Sequence, residues 1–190
     1  ITDTNLIRYA ASKGRPMIIS TGVAEITDIE LAVSVCREVG NNDITLLKTT
    51  SEYPSKLSEA NLLKMIDMKE RFNCEIGVSD HTMGSIVPCS AVCLGATVVE
   101  KHFILDRKMG GVDSHFSMEP SEFKKMVQRV RETEKVFGSI SFEVSEYDKS
   151  RRRSLYVVED IKPGEFFTDR NIKSIRPGNG MAPHQLFNVL

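Results

Sequence analysis

The sequence predicts an α/β protein in which the C-terminal half of a (β/α)8 TIM barrel is followed by a small β-rich module. Three observations support this prediction. Up to Gly138, short apolar runs rich in β-branched residues alternate with longer segments whose apolar positions recur at helical spacing. Four such units follow one another, and polar residues come after each apolar run. After Gly138 the alternation stops, and short β-type runs separated by Pro and Gly turns take over.

The helices are predicted from apolar positions that share one helical face and from residues typical of helix ends. Their predicted extents are 3–13 with Asp3 or Thr4 as the N-cap, 29–39 with Asp28 as the N-cap, a helix from Ser58, 84–94, and a helix from Glu119. In the last helix the apolar stripe that should be buried is Phe123, Met126, Val127 and Val130.

The predicted strands of the first part are 17–22, 44–50, 75–79 and 96–104. Four parallel strands cut from a closed barrel would leave two unpaired edges and an open core, so we expect that an N-terminal portion lies outside this chain or that the barrel is completed in another way. A doubly wound parallel sheet is the alternative architecture.

The sequence after Gly138 has a different pattern of residues. Residues 139–153 contain few aliphatic residues and end on a basic run, which is typical of a linker. Predicted features then follow in the order strand 154–158, turn 161–165, a short helical start at Thr168-Asp169, a short strand, and a turn at 176–180. The predicted domains are therefore 1–138, the linker 139–153, and a small truncated module at 154–190.

Composition excludes some partners. With 25 Lys and Arg against 26 Asp and Glu, the net charge of -1 gives no general attraction for nucleic acid or an anionic membrane. No apolar run approaches the roughly 20 residues that span a bilayer and no signal peptide is recognisable, so we expect a cytoplasmic protein. The four cysteines form no CxxC pair and are interpreted as small buried thiols: Cys36, Cys74, Cys89 and Cys93.

Two histidines, His81 and His102, each follow a short apolar run. If neighbouring parallel strands carry them, both imidazoles face the same mouth of the barrel, where they could ligate a divalent metal or polarise a carbonyl. A lone histidine would more often be structural, and two ligands are an incomplete metal site. Glu100 lies two residues before His102, so it could orient that ring or form a buried ion pair.

Other polar residues at the predicted strand ends have a functional and a plain interpretation. Ser20, Ser51 and Ser79 could bind a phosphate or carboxylate, although serine is common in loops. The hydroxyl of Tyr53 could contact a substrate, and Asp113 could accept a hydrogen bond from a sugar hydroxyl or cap a turn. The remaining candidates are two arginines that could bind an anion or could simply be exposed: Arg153 and Arg176.

Taken together, these motifs resemble the sialic acid synthase family. The segments that carry the resemblance are Ser20-Thr21-Gly22, 50–54, 77–82, 99–103 and Gly111-Val112-Asp113. The tail segments 153–155, 160–165 and 176–180 resemble the antifreeze-like (SAF, β-clip) module that follows the barrel in those enzymes. The resemblance covers nearly the whole chain, in order and at suitable spacing.

The resemblance implies an enzyme that condenses phosphoenolpyruvate with an N-acyl amino sugar aldehyde to give a nine-carbon 2-keto acid and inorganic phosphate. It implies a Mn²⁺ or Mg²⁺ ion on His81 and His102. It assigns the three serines and Arg153 to phosphoenolpyruvate, and Tyr53 and Asp113 to the sugar. Arg176 matches an arginine that the SAF module lends to the other subunit, which implies a domain-swapped homodimer.

Some features depart from the family pattern. Many neuraminate synthases carry asparagine where this chain has Ser51, so a pseudaminic or legionaminic acid product is also open. The acidic residue and lysines of the first barrel strands lie outside this chain, so alone it should lack full activity. A non-catalytic sugar- or partner-binding module is one alternative. Another is a pyruvate aldolase that uses Lys48, since Lys101 alternates away from the side of His102.

Overall fold

The computed structural model describes residues 1–190, which divide into two compact units, Ile1–Gly138 and Ser139–Leu190. The first unit alternates helices and strands. Its elements are α1 (Thr4–Ala11), β1 (Met17–Ser20), α2 (Ile26–Glu38), β2 (Ile44–Thr49), a 3-10 turn (Leu57–Glu59), α3 (Leu63–Phe72), β3 (Glu75–Asp80), α4 (Ile86–Cys93), β4 (Val98–Lys101), a 3-10 turn (Arg107–Met109) and α5 (Pro120–Val136).

The four strands form one parallel sheet in the order β1-β2-β3-β4. Each strand therefore lies beside the next one along the chain, as in a (β/α)8 barrel. A doubly wound sheet would reverse its order at a switch point, so that alternative is wrong. The α/β fold with a parallel half-barrel sheet is confirmed.

The two faces of the sheet have different surroundings. Ile19, Leu46 and Ile76 pack with apolar residues of α1, α2 and α3 in one core. Side chains of the opposite face, which we call the open face, include Ile18, which is 55% exposed. Ser20 and Glu100 are exposed as well. The alternation along the strands thus separates a helix-covered face from a face that would point into a barrel.

Two helix starts differ from the predictions by three residues or more. The N-cap of α2 is Glu25, and Asp28 occupies the third helical position, where its carboxylate accepts the Glu25 N–H at 2.9 Å. The sequence signal was therefore half of a capping box. Ser58 lies in the 3-10 turn, and α3 begins only at Leu63 because Asn61 adopts a left-handed conformation with φ of 44°.

The fourth strand is shorter than the predicted 96–104, so His102 lies just past its end. Phe103 forms a single bridge with Met118. In α5 only Met126 of the predicted stripe is fully buried. Val127 is exposed, whereas Phe123 meets the Phe103 ring edge-on with centroids 5.6 Å apart.

The second unit contains α6 (Glu146–Ser150), the antiparallel strands β5 (Ser154–Val157) and β6 (Ile172–Ile175), and a 3-10 helix (Pro183–Asn188). The short helix α6 falls inside the predicted linker. Thr168-Asp169 leads into a turn rather than a helix. No disulfide forms, and Cys36 and Cys74 are buried as predicted, but Cys89 is only partly buried and Cys93 is exposed. None of the helices has the length and apolar character needed to cross a bilayer.

Candidate functional site

His81 and His102 lie side by side beyond the ends of the adjacent strands β3 and β4. Their ring centroids are 5.0 Å apart and their planes meet at 76°. The predicted meeting of the two histidines is therefore observed. Parallel neighbouring strands explain it, because corresponding positions after their carboxyl ends reach the same edge of the sheet.

The backbone of the β2–α3 loop orients His81, which is buried. Nδ1 of His81 is 2.7 Å from the carbonyl oxygen of Thr50, an acceptor only, so Nδ1 carries the proton and donates it. The Nε2 lone pair is then free for a ligand. The Ser55 N–H in turn donates to the carbonyl of His81 at 3.0 Å, so this loop contacts the residue from two sides.

His102 is half-buried, and its pKa lies below the ordinary value for histidine. Burial is the main cause, and the neighbouring His81 adds to it. The carboxylate of Asp113, with Oδ2 at 3.7 Å from His102 Nδ1, acts in the opposite direction but more weakly. The lowered pKa favours the uncharged ring, which is the form that can bind a metal ion.

Two further aromatic rings surround the histidines. Tyr53 lies 4.3 Å from His81 and 5.8 Å from His102, measured between ring centroids. Phe116 lies 4.8 Å from His102 and is buried. Sequence reasoning named Tyr53 but missed Phe116, and the only available signal was its position in the loop that also carries Asp113.

The two imidazoles by themselves do not make a complete metal site. No three His, Cys, Asp or Glu side chains come together in a way that could hold a metal ion. Two imidazoles on one edge fit as part of the ligand set of a divalent cation, with the remaining ligands to come from water, substrate or other residues.

The predicted anion-binding serines do not share one cavity. Ser79 is buried and is a register partner of Thr49 and Glu100, whereas Ser20 pairs with Leu47 and is exposed. Glu100 is exposed and forms no ion pair, so the buried ion pair considered for it is wrong. Ser51 is exposed and lines a separate cleft.

That cleft, of about 570 Å³, lies between the ends of β1 and β2 and the helices α2 and α3. Its polar lining includes Thr21, Thr49, Ser51, Lys48 and Lys64. Lys48 is buried, and burial followed by the nearby Lys64 lowers its pKa. Its ammonium donates to the hydroxyl of Thr50 and to the Glu59 carbonyl, so Thr50 connects Lys48 with His81.

Lys101 forms a buried ion pair with Asp80 on the helix-covered side, away from the imidazoles. In the second unit, the guanidinium of Arg153 donates to the Ser174 carbonyl at 2.7 Å. Arg176 is exposed. The roles suggested for these two arginines stay predictions.

Comparisons with known proteins agree on one family. The NeuB family model matches residues 1–141. A pseudaminic acid synthase of Helicobacter pylori is 43% identical over 187 residues, which are 96% of this chain and 55% of that protein. An N,N'-diacetyllegionaminic acid synthase of Campylobacter jejuni is 38% identical over 188 residues, 96% of this chain and 56% of that protein.

The solved structure of the spore coat polysaccharide biosynthesis protein SpsE of Bacillus subtilis is also similar. Its TM-score is 0.70 at 32% identity, over 99% of this chain and 59% of that one. The chain thus spans little more than half the length of these relatives.

Proposed function

The chain belongs to the NeuB family, and on that premise we propose that the protein containing it condenses phosphoenolpyruvate with an N-acyl amino sugar aldehyde. The product is a nonulosonic acid, and inorganic phosphate is released. The observation that carries the proposal is the pair of imidazoles whose ring centroids lie 5.0 Å apart at the strand ends. The names of the relatives support a pseudaminic or legionaminic type of product, with a neuraminic type as the third member of the class.

In the proposed reaction, carbon 3 of phosphoenolpyruvate forms a bond to the aldehyde carbon of the open-chain sugar. Water then adds to carbon 2, and the resulting tetrahedral intermediate expels phosphate by cleavage of its C–O bond. His81 and His102 would hold Mn²⁺ or Mg²⁺, which when bound would polarise the aldehyde carbonyl.

The chain's own residues have three tasks in this proposal. The Thr50 carbonyl holds His81 in the tautomer that leaves Nε2 free, and the lowered pKa of His102 keeps that ring neutral. Asp113, whose carboxylate lies near His102, would accept hydrogen bonds from the sugar, and Tyr53, whose ring lies near both imidazoles, would contact the sugar through its hydroxyl. Phe116 would shield the site from water. We assign Ser20, Ser51 and Ser79 to phosphoenolpyruvate and Glu100 to the orientation of His102.

The second unit is proposed to be the beginning of an SAF module. Its paired strands β5 and β6 and the turn after β6 are compatible with the resemblance noted for 153–155, 160–165 and 176–180. On this basis Arg176 would enter the active site of the other subunit of a domain-swapped homodimer, and Arg153 would contact phosphate.

The test is phosphate release from phosphoenolpyruvate by the intact protein, with Mn²⁺ and a panel of N-acyl amino sugars. We expect release that depends on one class of sugar and is lost in His81→Ala and His102→Ala. His184→Ala, an exposed histidine of the second unit, serves as the matched control and should keep the activity. A folded, metal-loaded protein that releases phosphate with none of the sugars would favour a binding role.

A pyruvate aldolase is the second candidate, and the lowered pKa of Lys48 is the observation that favours it. A lysine with a lowered pKa can form a Schiff base with a carbonyl substrate. Trapping with borohydride in the presence of pyruvate would add mass to the peptide that contains Lys48 if this reaction operates. Unmodified Lys48 would exclude it.

A further inference from the structure

A buried ion pair directly precedes the two histidines in the sequence. Lys101 Nζ is 2.6 Å from Asp80 Oδ2, and the two side chains are 2% and 1% exposed. The same residues are Cα partners in the ladder between β3 and β4, and they form its last pair. Because side chains alternate along a strand, the ion pair and the imidazoles of the following residues lie on opposite sides.

The ion pair also holds the chain on both sides of His81. Asp80 Oδ1 accepts the Thr82 N–H at 2.8 Å, and the ammonium of Lys101 donates to the Thr82 carbonyl. The backbone before and after His81 is therefore tied to the strand that leads into His102. Beyond this point the ladder between the two strands has ended, so no backbone hydrogen bonds of that ladder fix the separation of the two rings.

Stability alone explains such a pair poorly. Moving two charges out of water costs free energy that their attraction offsets only in part, and buried ion pairs can often be replaced by apolar residues without loss of stability. The ion pair between α1 and α2, Arg8 with Glu38, is instead exposed. Residues with a positioning role have to lie close to the residues that they position. The Asp80–Lys101 pair meets this requirement, because it is the last pair of the ladder and takes part in three contacts around His81.

We propose that Asp80 and Lys101 are positioning residues that set the separation and orientation of His81 and His102 for binding one divalent cation. Neither side chain contacts the ion; they act through the backbone of residues 80–82 and through the end of β4. The inference rests on the proposed function for the identity of the ligand, but the positioning of the rings does not depend on it.

The test compares the intact wild-type protein with the double variant Asp80→Asn/Lys101→Met, which removes both charges and nearly keeps the volumes. Mn²⁺ affinity is measured by isothermal titration calorimetry. The ring environments are measured without metal from the ¹⁵N chemical shifts of the imidazoles. We expect a folded variant with at least about tenfold weaker Mn²⁺ binding, and altered or broadened signals of His81 and His102.

The matched control is Arg8→Met/Glu38→Gln, which removes an exposed ion pair of the same type and should change neither measurement. If the Asp80/Lys101 double variant does not fold, Asp80→Asn alone replaces it, since asparagine keeps one oxygen for the Thr82 N–H and loses the second oxygen, which accepts from Lys101. Wild-type Mn²⁺ affinity and unchanged imidazole signals in a folded variant would overturn the proposal. If the wild type binds no Mn²⁺, the proposed function fails, and the metal-free imidazole signals alone decide the positioning role.

Discussion

Gly22 shows how the absence of a side chain can determine where a neighbouring side chain lies. A Cβ atom at this position would collide with the hydroxyl of Ser51, and its next nearest neighbour would be Thr49 Cγ2 at 3.5 Å. The colliding atom is the end of a small side chain that can rotate. A methyl group at Gly22 would therefore displace the Ser51 hydroxyl at little cost to the fold.

For Gly22→Ala in the intact protein we expect a KM for phosphoenolpyruvate about fivefold higher, equivalent to about 1 kcal/mol for one lost hydrogen bond. The free energy of unfolding should change by less than about 0.5 kcal/mol. Steady-state kinetics and urea denaturation measure the two quantities. Ser51→Ala should raise KM by the same factor, and the double variant should add nothing further. Additive effects would show that Gly22 does not act through Ser51.

At the scale of single residues, the sequence is most informative where a residue directly follows a strand. The pattern of an apolar run followed by a histidine, repeated before His81 and His102, was sufficient to predict that the two residues meet if neighbouring parallel strands carry them. It could not identify Phe116, because a loop has no period from which the direction of a side chain follows. It also could not show that Asp80 pairs with Lys101, because that needs the register between two strands.

At the scale of elements, the N-terminus of α5 stabilises the loop that carries Asp113 and Phe116. Glu119 and Glu122 form a capping box, and the guanidinium of Arg107 donates to Glu122 and to the Ser117 carbonyl. This hydrogen bond with Arg107 is the main reason that the pKa of Glu122 lies below its ordinary value. The ionised carboxylate therefore stabilises the folded state.

We expect Glu122→Gln to lower the unfolding free energy by about 1 kcal/mol or less at pH 7, since solvent screens a side chain that is 41% exposed. Because the folded pKa is depressed, the contribution is complete above the unfolded pKa of about 4.3 and is lost as pH falls through the folded value. Urea denaturation from pH 7 to pH 3 should show that the unfolding free energies of the wild type and of Glu122→Gln converge at the acidic end.

Glu134→Gln is the control for this prediction, because Glu134 pairs with Arg131 on the exposed surface of the same helix. Glu134→Gln should change the free energy of unfolding little at any pH. A constant difference between wild type and Glu122→Gln down to pH 3 would show that the charge of Glu122 is not the source of its effect.

The types of the elements in the first unit could be predicted, whereas several boundaries could not. Apolar periodicity is repeated many times along a helix or strand, but a boundary depends on one or two residues. Asn61 illustrates this, since its left-handed backbone delays α3 although Ser58 resembles an N-cap. Asp28 has the right residue type for a capping box but belongs to its third helical position.

Within the sheet, Gly77 is required by the close approach of its neighbours. An added Cβ atom would lie 2.5 Å from the Val98 carbonyl oxygen and 2.6 Å from Leu47 Cδ2. The carbonyl belongs to the adjacent backbone and cannot rotate away. We expect Gly77→Ala to lower the unfolding free energy by about 1–3 kcal/mol, as overpacking does, measured by urea denaturation.

Gly180→Ala is the matched control, because its nearest neighbour would be Ser154 Cβ at 3.5 Å, an ordinary contact. The free energy of unfolding of Gly180→Ala should remain within about 0.5 kcal/mol of the wild-type value. Equal unfolding free energies of Gly77→Ala and the wild type would mean that β3 and β4 can move apart without a loss of stability.

At the scale of the whole molecule, the two faces of the sheet differ in how they are covered. The helix-covered face is complete, with a core of residues from four strands and the helices behind them. The open face exposes Ile18, and no three His, Cys, Asp or Glu side chains come together there in a way that could hold a metal ion. The sequence predicted this asymmetry because four βα units form half of a barrel. It gave less guidance after Gly138, where short strands lack a long periodic signal.

The segment 139–144, which follows the first unit, should be the first site of proteolysis. It has no regular secondary structure, and Phe142 in its middle is 95% exposed. A protease needs an extended stretch of backbone, and an exposed segment with few hydrogen bonds supplies it at the lowest free energy. Phe166 is 84% exposed, but the side chain of Asn171 donates to its carbonyl at 3.2 Å. Limited digestion with chymotrypsin followed by mass spectrometry should therefore detect cleavage after Phe142 first. Phe142→Ser should remove this early product, whereas Phe166→Ser should leave it unchanged, and initial cleavage after Phe166 would contradict the prediction.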